Sequence, residues 1–273
     1  MLVMDGARPP QVLRQGYLAS LAHPQELYLE NLVQAGRTVL VYDDRDGDGG
    51  NGAVARDRAV DRDRIVGYAV IGGEAVVEFF LAPDVLAALP AAFAAVLDHT
   101  QVGRALCKTF DTLLLTAAAS RPAHTKTAGY LFREVRDPSF TPDPDVVTRI
   151  GLLADLDAVW SIQDGFFDDR GEVRQYLDAQ SLFLYEAGGG ELLGCGILTR
   201  VVPGDTAVDV GMVVAPSHRR RGLGSYIVAD LNDRCLRAGD RPIAGCDSAN
   251  RASRRALENA GFTTAHSLLE FTY

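Results

Sequence analysis

The stretch VVAPSHRRRGLGSY, residues 213–226, sets three consecutive arginines and a Gly-Leu-Gly between an apolar run and a helical pattern. A strand that turns through a glycine-rich loop into a helix builds an anion site. The first helical amides have no carbonyl one turn earlier to bond, so they point outward. The helix dipole adds partial positive charge there. Gly222 and Gly224 let a ligand approach the backbone without meeting a Cβ. Arg219, Arg220 and Arg221 add full charges with bidentate geometry toward phosphate. With Leu223 and Ser225 they form a loop suited to a phosphate or pyrophosphate. No Lys-Ser/Thr pair follows the glycines, which excludes a P-loop, and no glycine stands near Ala229, which excludes the dinucleotide fingerprint.

The rest of the chain limits what that anion belongs to. A net charge of −9 argues against nucleic acid as the partner. The start, MLVMDGARPPQ, has no charged region followed by an apolar run. No segment approaches the ~18 uninterrupted apolar residues of a membrane span. Cys107, Cys195, Cys235 and Cys246 form no C-x-x-C and read as free thiols of a reducing cytoplasm. The histidines show no metal-ligand spacing, so no metal is expected.

At 273 residues the chain has a natural length for two domains. The first half reads as two amphipathic helices up to Gly36, a strand at RTVLVYD, strands at IVGYAVIG and EAVVEFFLAP, and a helix over 85–99. A strand at ALCKTF, a helix capped by Asp111 and the segment GYLFREV follow. Residues 43–64, almost entirely Asp, Arg, Gly and Ala, read as a mobile loop. RDPSFTPDPD, with three prolines, reads as a linker. The second half repeats the plan: VLVYDD meets LFLYEA, EAVVEFFLAP meets AVDVGMVVAP, and GYLFREV meets GFTTAHS. The expected organisation is a domain at 1–136, a linker at 137–145 and a domain at 146–273.

Two motifs in the second half identify a family. Val214, Pro216, Arg219, Gly222 and Gly224 spell V-x-P-x-x-R-x-x-G-x-G, which resembles the acetyl-CoA loop of the GNAT superfamily of N-acetyltransferases. SANRASRRALENAGF resembles that family's other motif, an Asn opening a helix that ends in Gly-Phe; here these are Asn250, Gly261 and Phe262. The resemblance covers about residues 146–273. It implies an α/β fold of the GNAT type, a mixed and mostly antiparallel sheet flanked by helices, present in tandem if the repeat holds. It implies acetyl-CoA as acyl donor, with its pyrophosphate on Arg219, Arg220, Arg221, Gly222, Leu223, Gly224 and Ser225. Met212, Val213 and Val214, on a strand splayed from its neighbour, would offer backbone groups to pantetheine. Asn250 and Ser253 would hold the pantetheine arm, and Asn250 is equally a helix N-cap.

The family often places a proton-donating Tyr on the last helix, and the matching position here is Leu257, which cannot donate. The catalytic candidates are therefore Asp209 on the central strand, acting through water, Ser248 beside the splay, and Tyr273. The acceptor is expected at DGFFDDRG, where Phe166 and Phe167 form an apolar wall and Asp168 and Asp169 attract an ammonium group. The first half has no such donor loop: after EFFLAP comes DVLAALPAAF, with Asp84 to repel a pyrophosphate. Lys108 and Asp111, at its strand-to-helix junction, read as structural capping.

The expected activity is transfer of an acetyl group from acetyl-CoA to a small-molecule amine in a ternary complex. The protein is expected to be a cytoplasmic monomer or homodimer with neither nucleic acid nor membrane as partner. Leu257 leaves open a non-catalytic CoA sensor or protein-interaction module. Ala207, Gly211 and Gly245 leave open a longer acyl donor.

Overall fold

The computed structural model describes residues 1–43, 64–136 and 140–273. The Asp/Arg/Gly loop read at 43–64 lies, apart from its two end residues, outside the described residues, as do positions 137–139 of the expected linker. The chain forms two compact units. One is Met1–Ala128 with Ser267–Tyr273, the other Gly129–His266.

The first unit contains β1 (Leu2–Gly6), α1 (Gln11–Ser20), α2 (Leu27–Ala35), β2 (Arg37–Tyr42), β3 (Ile65–Gly72) and β4 (Ala75–Leu81). Then come α3 (Leu89–Thr100), β5 (Arg104–Lys108), α4 (Thr112–Ala119), the start of β6 (His124–Phe132) and finally β14 (His266–Thr272). IVGYAVIG and AVVEFFL are, Glu78 apart, apolar on both faces because helices cover both faces of this sheet. Val39, Val41, Ala69, Phe79 and Leu81 pack on α3 and α4. On the other face Phe80 meets Tyr17 of α1. Gly73 and Glu74, at φ 54° and 64°, make the two-residue left-handed turn that joins β3 to β4. The sheet order is β1-β2-β3-β4-β5-β14. Every neighbouring pair is antiparallel except β4 and β5, which run parallel and meet at Val76↔Ala105.

The second unit takes up β6 from Gly129 onward, then β7 (Glu134–Val135), β8 (Val146–Ile150), α5 (Leu156–Ile162), α6 (Arg170–Asp178), β9 (Leu182–Ala187) and β10 (Leu192–Arg200). It continues through β11 (Ala207–Val214), α7 (Leu223–Arg237), β12 (Arg241–Asp247), α8 (Arg251–Asn259) and β13 (Phe262–Thr263). Its sheet order is β8-β9-β10-β11-β12-β6, again with one parallel step, β11 to β12. Helices α5 and α6 pack on one face around Val159, Phe167, Val173 and Leu177, and α7 and α8 on the other around Ile227, Leu231 and Leu257. Helix α7 lies close on β10 because Gly194 and Gly196 carry no Cβ. One added at Gly196 would fall 2.7 Å from Leu231 Cδ1.

The two sheets share one plan, five strands in chain order with the parallel step between the fourth and fifth. The sixth strand differs from the expectation. The first unit is completed by β14, whose Leu268–Thr272 pair with Lys108–Arg104 of β5. The second is completed by β6, whose Gly129–Phe132 pair with Asp247–Ala244 of β12. The compact units therefore do not divide at 137–145: each half of the sequence donates its last strand to the other half's sheet. Smaller departures are local. LVMDG forms strand β1, which the sequence reading did not assign. Residues Pro83–Ala88 form a 3-10 turn before α3, which opens with Pro90 in its first turn. No helix among the described residues is long and apolar enough to cross a membrane.

Candidate functional site

The ladder between β11 and β12 stops after three pairs, Ala207↔Arg241, Val208↔Pro242 and Asp209↔Ile243. From there β12 follows β6 and β11 stays with β10 as far as Gly194↔Val214. The two strands splay, and the edge of β11 from Val210 to Val214 is left without a ladder partner on the β12 side. An unpaired edge buried in a sheet is costly unless something bonds to it, which makes the gap the candidate groove. Met212, Val213 and Val214 are the last residues on that edge. The side chains of Met212 and Val214 face α7 and α8, and that of Val213 faces α5 and α6.

The loop follows at once. Pro216–His218 form a single 3-10 turn, Arg219 is extended, Arg220 has φ 64° and Gly222 has φ 82° as the N-cap of α7. Gly222 accepts the first helical bond from Tyr226 (3.1 Å) and has no side chain to cap the helix, so the amides of Leu223, Gly224 and Ser225 have no helical acceptor. A left-handed backbone with open space around the Cα suits glycine and strains any other residue. Arg220 and Arg221 are exposed and have no acidic partner among the described residues, whereas Arg219 does. Its Nε donates to the Val214 carbonyl (3.1 Å) and its Nη1 to Asp164 Oδ2 (2.8 Å). Tyr226 packs beneath, 6.3 Å from the Tyr185 ring and 5.1 Å from Phe140. Tyr185 donates to Asp230 (2.7 Å), which Arg234 also bonds (2.8 Å), fixing α7 to β9.

Asp164 belongs to the turn between α5 and α6. Helix α5 ends at Ile162, because Asp164 and Gly165 take φ 50° and 80°. The Phe166 amide closes this turn on the Gln163 carbonyl (3.1 Å). The two phenylalanines then separate. Phe167 is 3% exposed in the core under α6, so it is no pocket wall; Phe166 is 47% exposed and lies over the open edge. A Cβ placed on Gly211 would sit 3.4 Å from Phe166 Cζ. Asp169 is the N-cap of α6, accepting from the Glu172 amide (2.9 Å). Asp168 is exposed. Tyr176, which the sequence reading passed over, donates to Glu172 (3.2 Å). Its hydroxyl is pushed up by burial and by the nearby carboxylates of Glu172, Asp209 and Asp168, which puts these groups in one neighbourhood.

Asp209 is the last paired residue before the splay and projects to the α5–α6 side, like Gly211 and Val213. Ser248 lies in the turn after β12, half-buried. Asn250 caps α8 by accepting from the Ser253 amide (3.0 Å), as the cap reading required. Leu257 is 2% exposed within the α7–α8 core. Burial pushes the Cys246 thiol up to about 11, which disfavours its thiolate. Arg254 stacks over Tyr130 (4.2 Å) and bonds Glu258 (2.8 Å). Tyr273 is not at this site. It belongs to the first unit, where its hydroxyl donates to the Ala118 carbonyl (3.2 Å) and its ring meets Phe93 (6.1 Å), because the last strand completes that unit's sheet. No group of three or more His, Cys, Asp or Glu among the described residues is placed to hold a metal ion.

The first unit has the same splay and none of the loop. After Val76↔Ala105, β5 follows β14. The turn beyond β4 holds Pro83 and Pro90, which have no N–H to offer, and Asp84, paired with Arg64 (2.6 Å). Its α1–α2 face is filled with polar groups that satisfy one another. Lys108 Nζ donates to Tyr17 (2.6 Å) and to Gln25 (2.7 Å), and Tyr17 donates to Asp111 (2.7 Å). Asp111 also caps α4 through the Leu114 amide (3.1 Å). Glu78, fully buried on β4, accepts from Tyr68, Arg14 (3.3 Å) and Gln25 (3.4 Å). Burial holds the Glu78 carboxyl above its usual 4.5, against the opposing pull of Arg14, Tyr68 and Lys108. A raised folded value favours the native state while the group stays protonated, so this contribution is complete below pH 4.5 and fades as pH rises through the folded value. Chemical denaturation of wild type and Glu78→Gln across that window is expected to show wild type losing stability relative to the variant as pH rises. A difference that stays flat or grows in favour of wild type contradicts this.

Residues 152–262 match the Acetyltransferase (GNAT) family, and residues 58–135 match an Acetyltransferase (GNAT) domain. No curated protein matches the chain. Among solved structures, an acetyltransferase of the GNAT family from Colwellia psychrerythraea is similar at TM-score 0.83 and 16% identity, over 100% of both chains. A GCN5-related N-acetyltransferase from Sphaerobacter thermophilus is similar at 0.61 and 12%, over 99% of this chain and 95% of that one. A tandem GNAT protein from the clavulanic acid biosynthesis pathway is similar at 0.60 and 16%, over 100% and 98%. At such identities the likeness is one of fold.

Proposed function

Because the chain carries two domains of the GNAT acetyltransferase family in tandem, we propose that the second transfers an acyl group, acetyl first of all, from an acyl-CoA to a small-molecule primary amine in a ternary complex. The observation that carries this reading is the splay after Asp209↔Ile243, leading directly into the arginine loop and the uncapped start of α7. The residues fit the donor. Backbone groups of Met212–Val214 on the open edge suit the two amides of pantetheine. The amides of Leu223, Gly224 and Ser225, with Arg219, Arg220 and Arg221, suit the pyrophosphate. Asn250 keeps a side-chain N–H₂ to offer while its oxygen caps α8. The donor supplies an electrophilic thioester carbonyl. The neutral amine forms an N–C bond to it, the C–S bond breaks, the nitrogen loses a proton and the thiolate gains one. Asp209, at the vertex of the splay, takes the amine's proton through water. Ser248 at the end of β12, or water, returns one to the thiolate. Phe166 walls the acceptor, and Asp168 attracts its ammonium form. Free cysteines throughout support work in a reducing compartment.

The test is thiol release. Protein with acetyl-CoA and a panel of amines is expected to free CoA only with an accepted amine, and titration calorimetry is expected to show acetyl-CoA binding. Replacing Arg219 by Ala together with Gly222 by Val is expected to abolish that binding: the charge is lost, and a β-branched residue is forced into a left-handed conformation. Unchanged affinity in the double variant sinks the reading. Leu257, buried where the family often has a tyrosine, favours one second reading, a CoA-binding sensor. Tight CoA binding with no release for any amine is its signature.

A further inference from the structure

One ion pair ties the donor loop to the acceptor turn. Arg219 uses two of its five N–H groups internally, Nε on the Val214 carbonyl (3.1 Å) and Nη1 on Asp164 (2.8 Å). Asp164 is held out by a tight turn whose two central residues are both left-handed, φ 50° and 80°. The Phe166 amide bonds the Gln163 carbonyl (3.1 Å) and the Phe167 amide bonds Gln163 Oε1 (3.0 Å), so both ends of the turn are braced on Gln163. It is fixed to the core through Phe167, it reaches the loop through Asp164, and it covers Gly211 on the open edge through Phe166.

We propose that Asp164 is a positioning residue that occupies Arg219 in place of the donor's pyrophosphate and frees the acceptor turn when the donor binds. The inference rests on the reading of the loop as a CoA site. A carboxylate and a phosphate both accept charge-assisted hydrogen bonds from a guanidinium, so the two compete for the same N–H groups. The pair is exposed on both sides, 43% for Arg219 and 63% for Asp164, so it is weak enough to exchange. A pyrophosphate that also meets Arg220, Arg221 and the first amides of α7 outcompetes a single carboxylate. Once displaced, Asp164 faces an anion of its own sign and has no other side-chain partner among the described residues. The turn then shifts, and Phe166 uncovers the strand edge beside the reacting groups.

Calorimetry with CoA tests this in the full chain, comparing wild type, Asp164→Asn, Asp164→Glu, Arg219→Ala and the Asp164→Asn/Arg219→Ala pair. Arg219→Ala keeps the other arginines and the helix amides, so its affinity stays measurable. Asp164→Asn is expected to bind CoA about threefold to tenfold more tightly at low ionic strength, less so in high salt. Asp164→Glu should return to wild-type affinity, and the gain should vanish without Arg219. Hydrogen exchange adds a readout that a merely structural role does not move. CoA should speed exchange at the Phe166 and Phe167 amides of wild type, while Asp164→Asn exchanges fast from the start. CoA affinity that is unchanged or weakened in Asp164→Asn, a gain that survives the loss of Arg219, or slower exchange with CoA overturns the proposal. Failure of wild type to bind CoA overturns the donor-site reading with it. Binding with an unaltered Asp164→Asn overturns this proposal alone.

Discussion

Deletion of Ser267–Tyr273 is expected to abolish the cooperative unfolding of the first unit, although those residues follow the second in the sequence. They supply its sixth strand. Leu268 and Phe271, 7% and 5% exposed, are buried there, Phe271 in the α3–α4 core, and Tyr273 packs on Phe93. Truncating one buried Leu or Phe costs about 2–5 kcal/mol. Losing both, with the five-residue ladder to β5, removes most of the total of about 5–15 kcal/mol that holds a domain. The reciprocal experiment uses fragments. Residues 129–266 should fold and bind CoA. Residues 146–273, the domain drawn from the motifs, should not fold, because Ala244–Asp247 of β12 then lack Gly129–Phe132. Thermal melts by circular dichroism and amide NMR spectra decide it. A deletion variant with an intact first transition, or a well-folded 146–273 fragment, refutes the exchanged-strand account.

Lys108→Met is expected to destabilise the first unit by about 3–5 kcal/mol, the usual result of removing one partner from a buried ion pair. For a unit of this size that is a fall in Tm of about 10–25 °C. Lys108 is 0% exposed and stands 3.6 Å from Asp111, itself 2% exposed. Methionine fills the volume but leaves Asp111 without a cation, Gln25 Oε1 without its donor, and the Glu78 carboxylate without a neighbouring positive charge. Adding Asp111→Asn should recover part of the loss, because it removes the stranded charge and keeps an oxygen for the Leu114 amide. A loss under ~1 kcal/mol in the single variant shows that the network does not hold the α1–α2 face.

What was legible in the sequence was local. The strand, Arg219–Gly224 and α7 form one continuous stretch, and Asn250 caps its helix by accepting from the amide three residues later, so spacing alone located them. The repeat was legible as an order of strands. The exchange was not, because nothing in GYLFREV or in SLLEFTY says which sheet its hydrogen bonds complete. That misplaced Tyr273. The neighbouring phenylalanines were read as one wall because the period could not show the left-handed turn that sends Phe167 inward and Phe166 outward. The Asp164–Gly165 pair carried that signal. The link from Asp164 to Arg219 spans two elements distant in sequence and had no local trace.

The exchanged strands also set an order on synthesis. β6 leaves the ribosome before any strand of the sheet it will join, so the second unit can form as its own strands appear. The first five strands of the other sheet emerge some 160 residues before β14, roughly ten to thirty seconds at ordinary elongation rates. Throughout that interval β5 presents an unpaired edge beside the largely apolar β3–β4 hairpin, the kind of surface that recruits strands from other chains. A cell producing this protein must shield that edge, and crowded or accelerated expression is where misassembly will concentrate.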